Sequence, residues 1–223
     1  MRASLVSTSP SRLGVSAALA VVLAATAACR SGGDPTRPQI VQPGPPGQSS
    51  RVIAADKAAD LSQVQYTPAD VAFMQGMIGH HAQALEMTAL LKSRTSRDDM
   101  RLLGRRIELS QDDEIKMMQQ WLEVRGQAVP GPHAHHAEGA LMPGMLTPAE
   151  MARLAAATGP EFDRLFLELM IKHHDGALLM VRQLFSTPGA GQESEMFAFA
   201  SDVDADQRME IERMAAMLKE FQK

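Results

Sequence analysis

The chain has 223 residues, a formal charge of −4, 16 methionines, seven histidines and one cysteine. A mildly acidic chain lacks the basic face that nucleic acid requires, and a single cysteine excludes an internal disulfide. No nucleophile triad, phosphate loop or nucleotide fingerprint occurs, so the chemistry must come from histidine, methionine and carboxylate.

In chain order, residues 1–28 read as a signal. Arg2 and Arg12 are the only charges there, and an apolar run from Val15 to Ala28 ends in small residues before Cys29. The run is too short to span a bilayer as a helix and matches a secretory signal. Cys29 stands where a lipoprotein signal places its acylated cysteine. The expectation is export and a lipid anchor at the cell envelope, with the membrane contacted through that anchor only. Cleavage would move the formal charge to −6. Residues 29–50, with Pro35, Pro38, Pro43, Pro45 and Pro46, read as a disordered tether. A helical domain is expected over 51–223, long enough for one core.

An internal repeat organises that domain. Asp70, Phe73, Met77, Ile78, His80, His81, Ala84 and Met87 recur as Asp163, Phe166, Met170, Ile171, His173, His174, Ala177 and Met180 at a constant offset of 93. Downstream, Gln111, Glu114, Ile115, Met118 and Leu122 recur as Gln207, Glu210, Ile211, Met214 and Leu218 at an offset of 96. Rare residues repeated at fixed spacing mark a duplication. Each repeat is a pair of elements, 66–126 and 160–222, separated by a loop and short helix over 127–159.

All these elements read as helices. Thr67-Pro68-Ala69-Asp70 and Thr147-Pro148-Ala149-Glu150 are helix starts, with a capping hydroxyl, Pro at the first position and an acid at the third. Ser96 with Asp98 and Asp99 opens the second helix, and Gly126 ends it. A long helix runs from Pro160 to Phe185 and the last from Gln192 to Phe221. No segment alternates convincingly as a strand. The expected fold is all-α: a ferritin-like four-helix bundle of two duplicated hairpins. Gly104 and Gly176 sit singly in helices and carry no reading.

Spacings of 3 and 4 place Phe73, Met77, His80, Ala84 and Met87 on one seam, with Phe166, Met170, His173, Ala177 and Met180 as their counterparts. Ile107, Gln111, Glu114, Met118 and Trp121 form the third seam, and Val203, Gln207, Glu210, Met214 and Met217 the fourth. Every seam therefore carries a polar group mid-helix, and burying one without a partner costs about 2 kcal/mol or more. Either the groups satisfy one another, with His80 reaching Glu114 or Glu210, or they hold a metal. His81 and His174 lie about 100° round from the seam, each four residues after a methionine. The remaining histidines, His133, His135 and His136, precede Met142-Pro143-Gly144-Met145 and form a second metal-binding candidate by composition.

Imidazole with thioether is a soft donor set that suits copper, above all Cu(I), with Cu(II) served by the histidines. Zinc leaves the methionines unexplained. A ferritin-type di-iron centre needs a Glu three residues before each seam histidine, where Met77 and Met170 stand. The candidate ligands are thus His80, His81, His173, His174, Met77, Met87, Met170, Met180, Glu114, Glu210, Met118 and Met214, with the loop set His133, His135, His136, Met142 and Met145.

Met142-Pro143-Gly144-Met145, Phe162-Asp163-x-x-Phe166-Leu167-x-x-Met170-Ile171-x-His173-His174-x-Gly176-Ala177 and Met77-Ile78-x-His80-His81 resemble the domain of unknown function 305 family over residues 66–222. The resemblance implies a ferritin-like helical bundle and, for some members, copper binding in the periplasm or at the cell surface. The leading expectation is an extracytoplasmic copper-binding protein that buffers, sequesters or transfers the metal to a partner protein. A ferritin-like metal-dependent oxidoreductase and a metal-free envelope interaction module are the alternatives. The sequence carries no signal for oligomeric state.

Overall fold

The computed structural model describes residues 40–42, 49–54, 64–131 and 141–221. Two compact units divide the chain, residues 1–60 and 61–223. Cys29, the signal segment and His133, His135 and His136 lie outside the described residues.

In the first unit, β1 (Ile40–Gln42) pairs antiparallel with β2 (Arg51–Ile53), in the register Ile40 to Ile53 and Val41 to Val52. The sequence shows no convincing alternation here, and β1 falls within the tether expected over 29–50. Three residues are too few for alternation to register in sequence. The β-branched cross-strand pairs nonetheless favour a pleated pair.

The second unit holds five helices: α1 (Pro68–Arg94), α2 (Asp98–Val124), α3 (Pro148–Ala156), α4 (Gly159–Ser186) and α5 (Ser194–Glu220). The capping boxes form as expected. Thr67 N donates to Asp70 Oδ2 at 2.6 Å, and Thr147 N donates to Glu150 Oε2 at 2.8 Å. The start of α2 differs. Its N-cap is Arg97 rather than Ser96, and no side chain caps it. Thr95 Oγ1, two residues upstream, accepts from Arg97 N, and the Arg97 guanidinium grips Asp99.

The short α1–α2 and α4–α5 connections impose antiparallel hairpins, and α1 packs against α4. Two aspartates tie the hairpins end to end. Asp70, fully buried at the start of α1, accepts from Gly191 N at 2.6 Å in the α4–α5 turn. Gly191 has φ +67° there, which glycine adopts without cost. Its counterpart Asp163, at the start of α4, sits by Thr95 in the α1–α2 turn. α1 and α4 therefore run antiparallel.

The core is two apolar clusters. One gathers Met87, Leu91, Met100, Ile107, Phe166, Met170 and Met214; the other gathers Phe73, Met77, Met118, Trp121, Met180, Met196 and Val203. On each long helix the polar seam residues fall between a stretch of one cluster and a stretch of the other. The apolar core is thus interrupted once, at one level, on all four long helices. The seams assigned from spacing are buried at every position except Glu210, which is partly exposed.

A strap, residues 142–147, crosses α1 and α4. Gln83 Nε2 donates to Leu146 O at 3.0 Å and Leu146 N donates back to Gln83 Oε1 at 2.7 Å. On α4 the strap meets Gly176, where an added Cβ would lie 2.0 Å from Pro143 O. This corrects the reading that Gly176 carries nothing: a bare helix surface is what admits a second backbone. Replacing Gly176 with Ala is expected to destabilise the protein by about 1–3 kcal/mol through overpacking against backbone that cannot retreat cheaply. A urea midpoint equal to wild type would refute that role.

Candidate metal centre

Four imidazoles occupy the polar layer, and all four residues are fully buried. His80 and His173 stack at the centre, ring centroids 3.9 Å apart and tilted 41°. His81 and His174 flank them, 6.3 and 6.2 Å from their sequence neighbours. The rings run in the order His81, His80, His173, His174, as the antiparallel α1–α4 pair requires.

Their partners differ from the sequence expectation. His80 does not reach either glutamate; its Nε2 lies 3.0 Å from Pro143 O in the strap. His81 takes Glu114, Nε2 to Oε2 at 2.5 Å, and His174 takes Glu210 at 2.6 Å. His81 and His174, set round from the seam, are buried all the same. Each points toward the partner helix of its own hairpin, so an offset of 100° still faces protein.

Each of the four rings retains an Nδ1 without a hydrogen-bond partner, and His173 Nε2 lacks one as well. Gln111 and Gln207 in the same layer also carry unpartnered side-chain atoms. A buried, unsatisfied polar group costs about 1–3 kcal/mol, so this layer is expensive as it stands. Burial, reinforced by His81, pushes the His80 imidazole down to about 3. Burial and then His80 hold His173 well below the ordinary value. Both rings are therefore neutral, the form that can donate a lone pair.

The methionines divide symmetrically. Met77, Met118 and Met180 belong to one apolar cluster; their counterparts Met170, Met214 and Met87 belong to the other. All six are buried. Met142 packs against the cluster of Met77 and Met180, and its sulfur converges with the Met180 methyl over Gly76. Met145 is buried in the strap. Thioethers thus stand on both sides of the imidazole layer. Among the described residues, no three His, Cys, Asp or Glu side chains group as a metal site.

A groove of about 290 Å³ between α2 and α5 reaches this layer from outside, lined by Asp113, Glu114, Asp202 and Asp206 among others. Burial, then the charges of Glu114, Glu210 and Asp202, raise the Asp206 carboxyl. Sequence reasoning missed Asp206, Gln83 and the Pro143 carbonyl. Only Gln83 left a signal, one turn after His80 on the same helix. The strap's course was not legible.

The fold and this layer define an all-α bundle with a buried core of imidazole and thioether donors. The chain belongs to the Domain of unknown function (DUF305) family, which matches residues 70–218. A DUF305 fragment from Deinococcus radiodurans is 34% identical, with a TM-score of 0.60 over 70% of this chain and 98% of that one. A DUF305 protein from Streptomyces coelicolor, classed as secreted, is 31% identical, with a TM-score of 0.58 over 69% of this chain and 93% of that one. CopM in its Cu(II)-bound form is 27% identical, with a TM-score of 0.57 over 68% of this chain and 97% of that one. CopM structures also exist in Cu(I)-bound, Ag-bound and apo forms. No functionally curated protein matches the chain significantly.

The neutral rings set a pH dependence for the metal-free protein. Unfolded histidine takes a proton below about 6.5, whereas His80 and His173 in the fold do not until far lower pH. The unfolded state then binds more protons, so stability falls as pH drops below 6.5. Each ring contributes a slope approaching about 1.4 kcal/mol per pH unit. Urea midpoints at pH 7.0 and 5.5 should differ in that direction, and His173→Gln should flatten the difference. An unchanged wild-type midpoint would refute neutral burial.

Proposed function

We propose that the protein binds copper outside the cytoplasm, buffering or sequestering it or handing it to a partner protein. The observation that carries this reading is the set of buried imidazole nitrogens without partners, flanked on both sides by buried thioethers. Dehydrated rings held neutral, as His80 and His173 are, bind metal without first losing a proton. Imidazole and thioether together select Cu(I), with Cu(II) accommodated by the rings. His80, His81, His173 and His174 are the nitrogen donors proposed here. Met77, Met87, Met118, Met170, Met180 and Met214 are the sulfur donors, and Met142 and Met145 are strap donors. His133, His135 and His136 remain a separate loop candidate. The copper- and silver-bound CopM structures support the same metal class.

Zinc and iron gain little support. Both favour closed nitrogen, oxygen or thiolate sets, and the two glutamates of the layer are each engaged by a histidine. A metal-free polar network accounts for those two pairs but leaves the Nδ1 atoms unexplained.

Purified protein titrated anaerobically with Cu(I) against a coloured chelator should compete for the metal. Copper in hundredfold excess over Kd should stabilise the fold by about 2.7 kcal/mol. Failure to compete, with no shift in Tm, would overturn the copper reading. His80→Gln with His173→Gln should weaken binding while circular dichroism stays helical.

Export and anchoring at Cys29 belong to the same proposal. No helix among the described residues is long and apolar enough to cross a membrane; the attachment proposed is through a lipid on Cys29. Cys29→Ala is expected to move the protein from the membrane to the soluble fraction and abolish palmitate labelling. Retention of the label in that variant would exclude acylation at Cys29.

A further inference from the structure

We propose that Glu114 and Glu210 are positioning residues rather than metal ligands: they hold His81 and His174 as Nε2–H tautomers, so that both rings present Nδ1. This assignment rests on the copper reading above and revises the role expected for the two glutamates.

The geometry is the same in both halves. His81 Nε2 meets Glu114 Oε2 at 2.5 Å, and His174 Nε2 meets Glu210 Oε2 at 2.6 Å. Each pair joins the two helices of one hairpin, α1 with α2 and α4 with α5. A carboxylate has only acceptors, so the ring nitrogen facing it must carry the proton. The other nitrogen of a neutral imidazole then holds the lone pair. That nitrogen, Nδ1, is buried and without a partner in His81 and in His174.

His80 obeys the same rule through a different acceptor. Its Nε2 faces the Pro143 carbonyl, which can only accept, and its Nδ1 is likewise unpartnered. Three rings therefore carry the proton on Nε2 and keep Nδ1 free. His173 has no partner at either nitrogen within hydrogen-bond geometry, though the His80 backbone lies near it, and can follow either tautomer.

Each carboxylate has a second edge beyond the one that meets its ring. Glu114 lines the groove between α2 and α5 and takes a second, weaker contact from Ser110 Oγ at 3.4 Å. Glu210 keeps 17% of its side chain exposed. Glu210 thus keeps an edge toward the outside and Glu114 borders the groove, while each fixes a ring. A glutamate that left its ring to bind metal would orphan a buried Nε2–H and offer a hard oxygen to a soft ion. Leaving it on the ring removes both penalties and raises the basicity of the donor nitrogen, as outer carboxylates do for metal-bound histidines.

Two measurements test this. In the metal-free wild type, long-range 1H–15N spectra, assigned with His81→Gln and His174→Gln, should show both rings protonated at Nε2. Protonation at Nδ1 in either ring overturns the proposal by itself. With Cu(I), the variant Glu114→Gln with Glu210→Gln should keep the wild-type metal stoichiometry and the same sulfur and nitrogen neighbours by X-ray absorption. Its affinity should fall by about 10–100-fold. Glu114→Leu with Glu210→Leu should bind more weakly again, because leucine cannot accept. Loss of a bound metal or of an oxygen neighbour in the glutamine variant would make the glutamates ligands and overturn the assignment. If wild type binds no copper, the functional reading fails and the metal role here fails with it, whatever tautomer the spectra report.

Discussion

Four imidazoles stand fully buried in the middle of an apolar bundle, and everything else in the helical unit is arranged around that burden. Dehydrating an imidazole favours its neutral form, and a neutral ring needs an acceptor for its one N–H. The bundle supplies three: two glutamates and one backbone carbonyl. The lone pairs stay unsatisfied. A core selected for stability alone would have filled this layer with leucine. Its retention on all four long helices is the physical reason for reading it as a place where something binds.

The two hairpins are alike in their contents and unlike in their surroundings. Methionines, glutamates and glutamines match across them, and the aspartates Asp70 and Asp163 each sit at the turn of the opposite hairpin. The strap breaks the match. It clamps to Gln83 on α1 and lies on Gly176 of α4, residues that correspond by position yet differ in kind. A pair of identical halves could not both take one strap across their junction, because a single chain segment has no two-fold symmetry. His80 consequently has an acceptor in the strap that His173 lacks. The two central rings, though stacked, are not chemically equivalent.

Much of this was legible in the sequence. The repeat offsets placed Phe73, Met77, His80 and Met87 on a seam, and the structure buries them, because a spacing of 3 and 4 leaves a helix only one face to hide. The proline-led capping boxes located two of the helix starts. The partnering of the rings was not legible. His81 and His174 were placed off the seam by helical angle, which says where a side chain leaves its own helix and nothing about the distance to the next one. Ile40 with Ile53 was also invisible, since two three-residue segments are too short for either pattern to announce a strand.

The amino-acid sequence by itself determined the helices, their pairing into hairpins, the inward seams and the donor types, because periodicity and capping are local properties of a chain. Only the tertiary structure decided which nitrogen of each ring is engaged, where the strap crosses, and that Glu114 and Glu210 face His81 and His174 rather than the central pair. Those are outcomes of packing between residues 33, 36 and 63 positions apart, set by interhelical distance and by the absence of a Cβ at Gly176, and no local pattern encodes them.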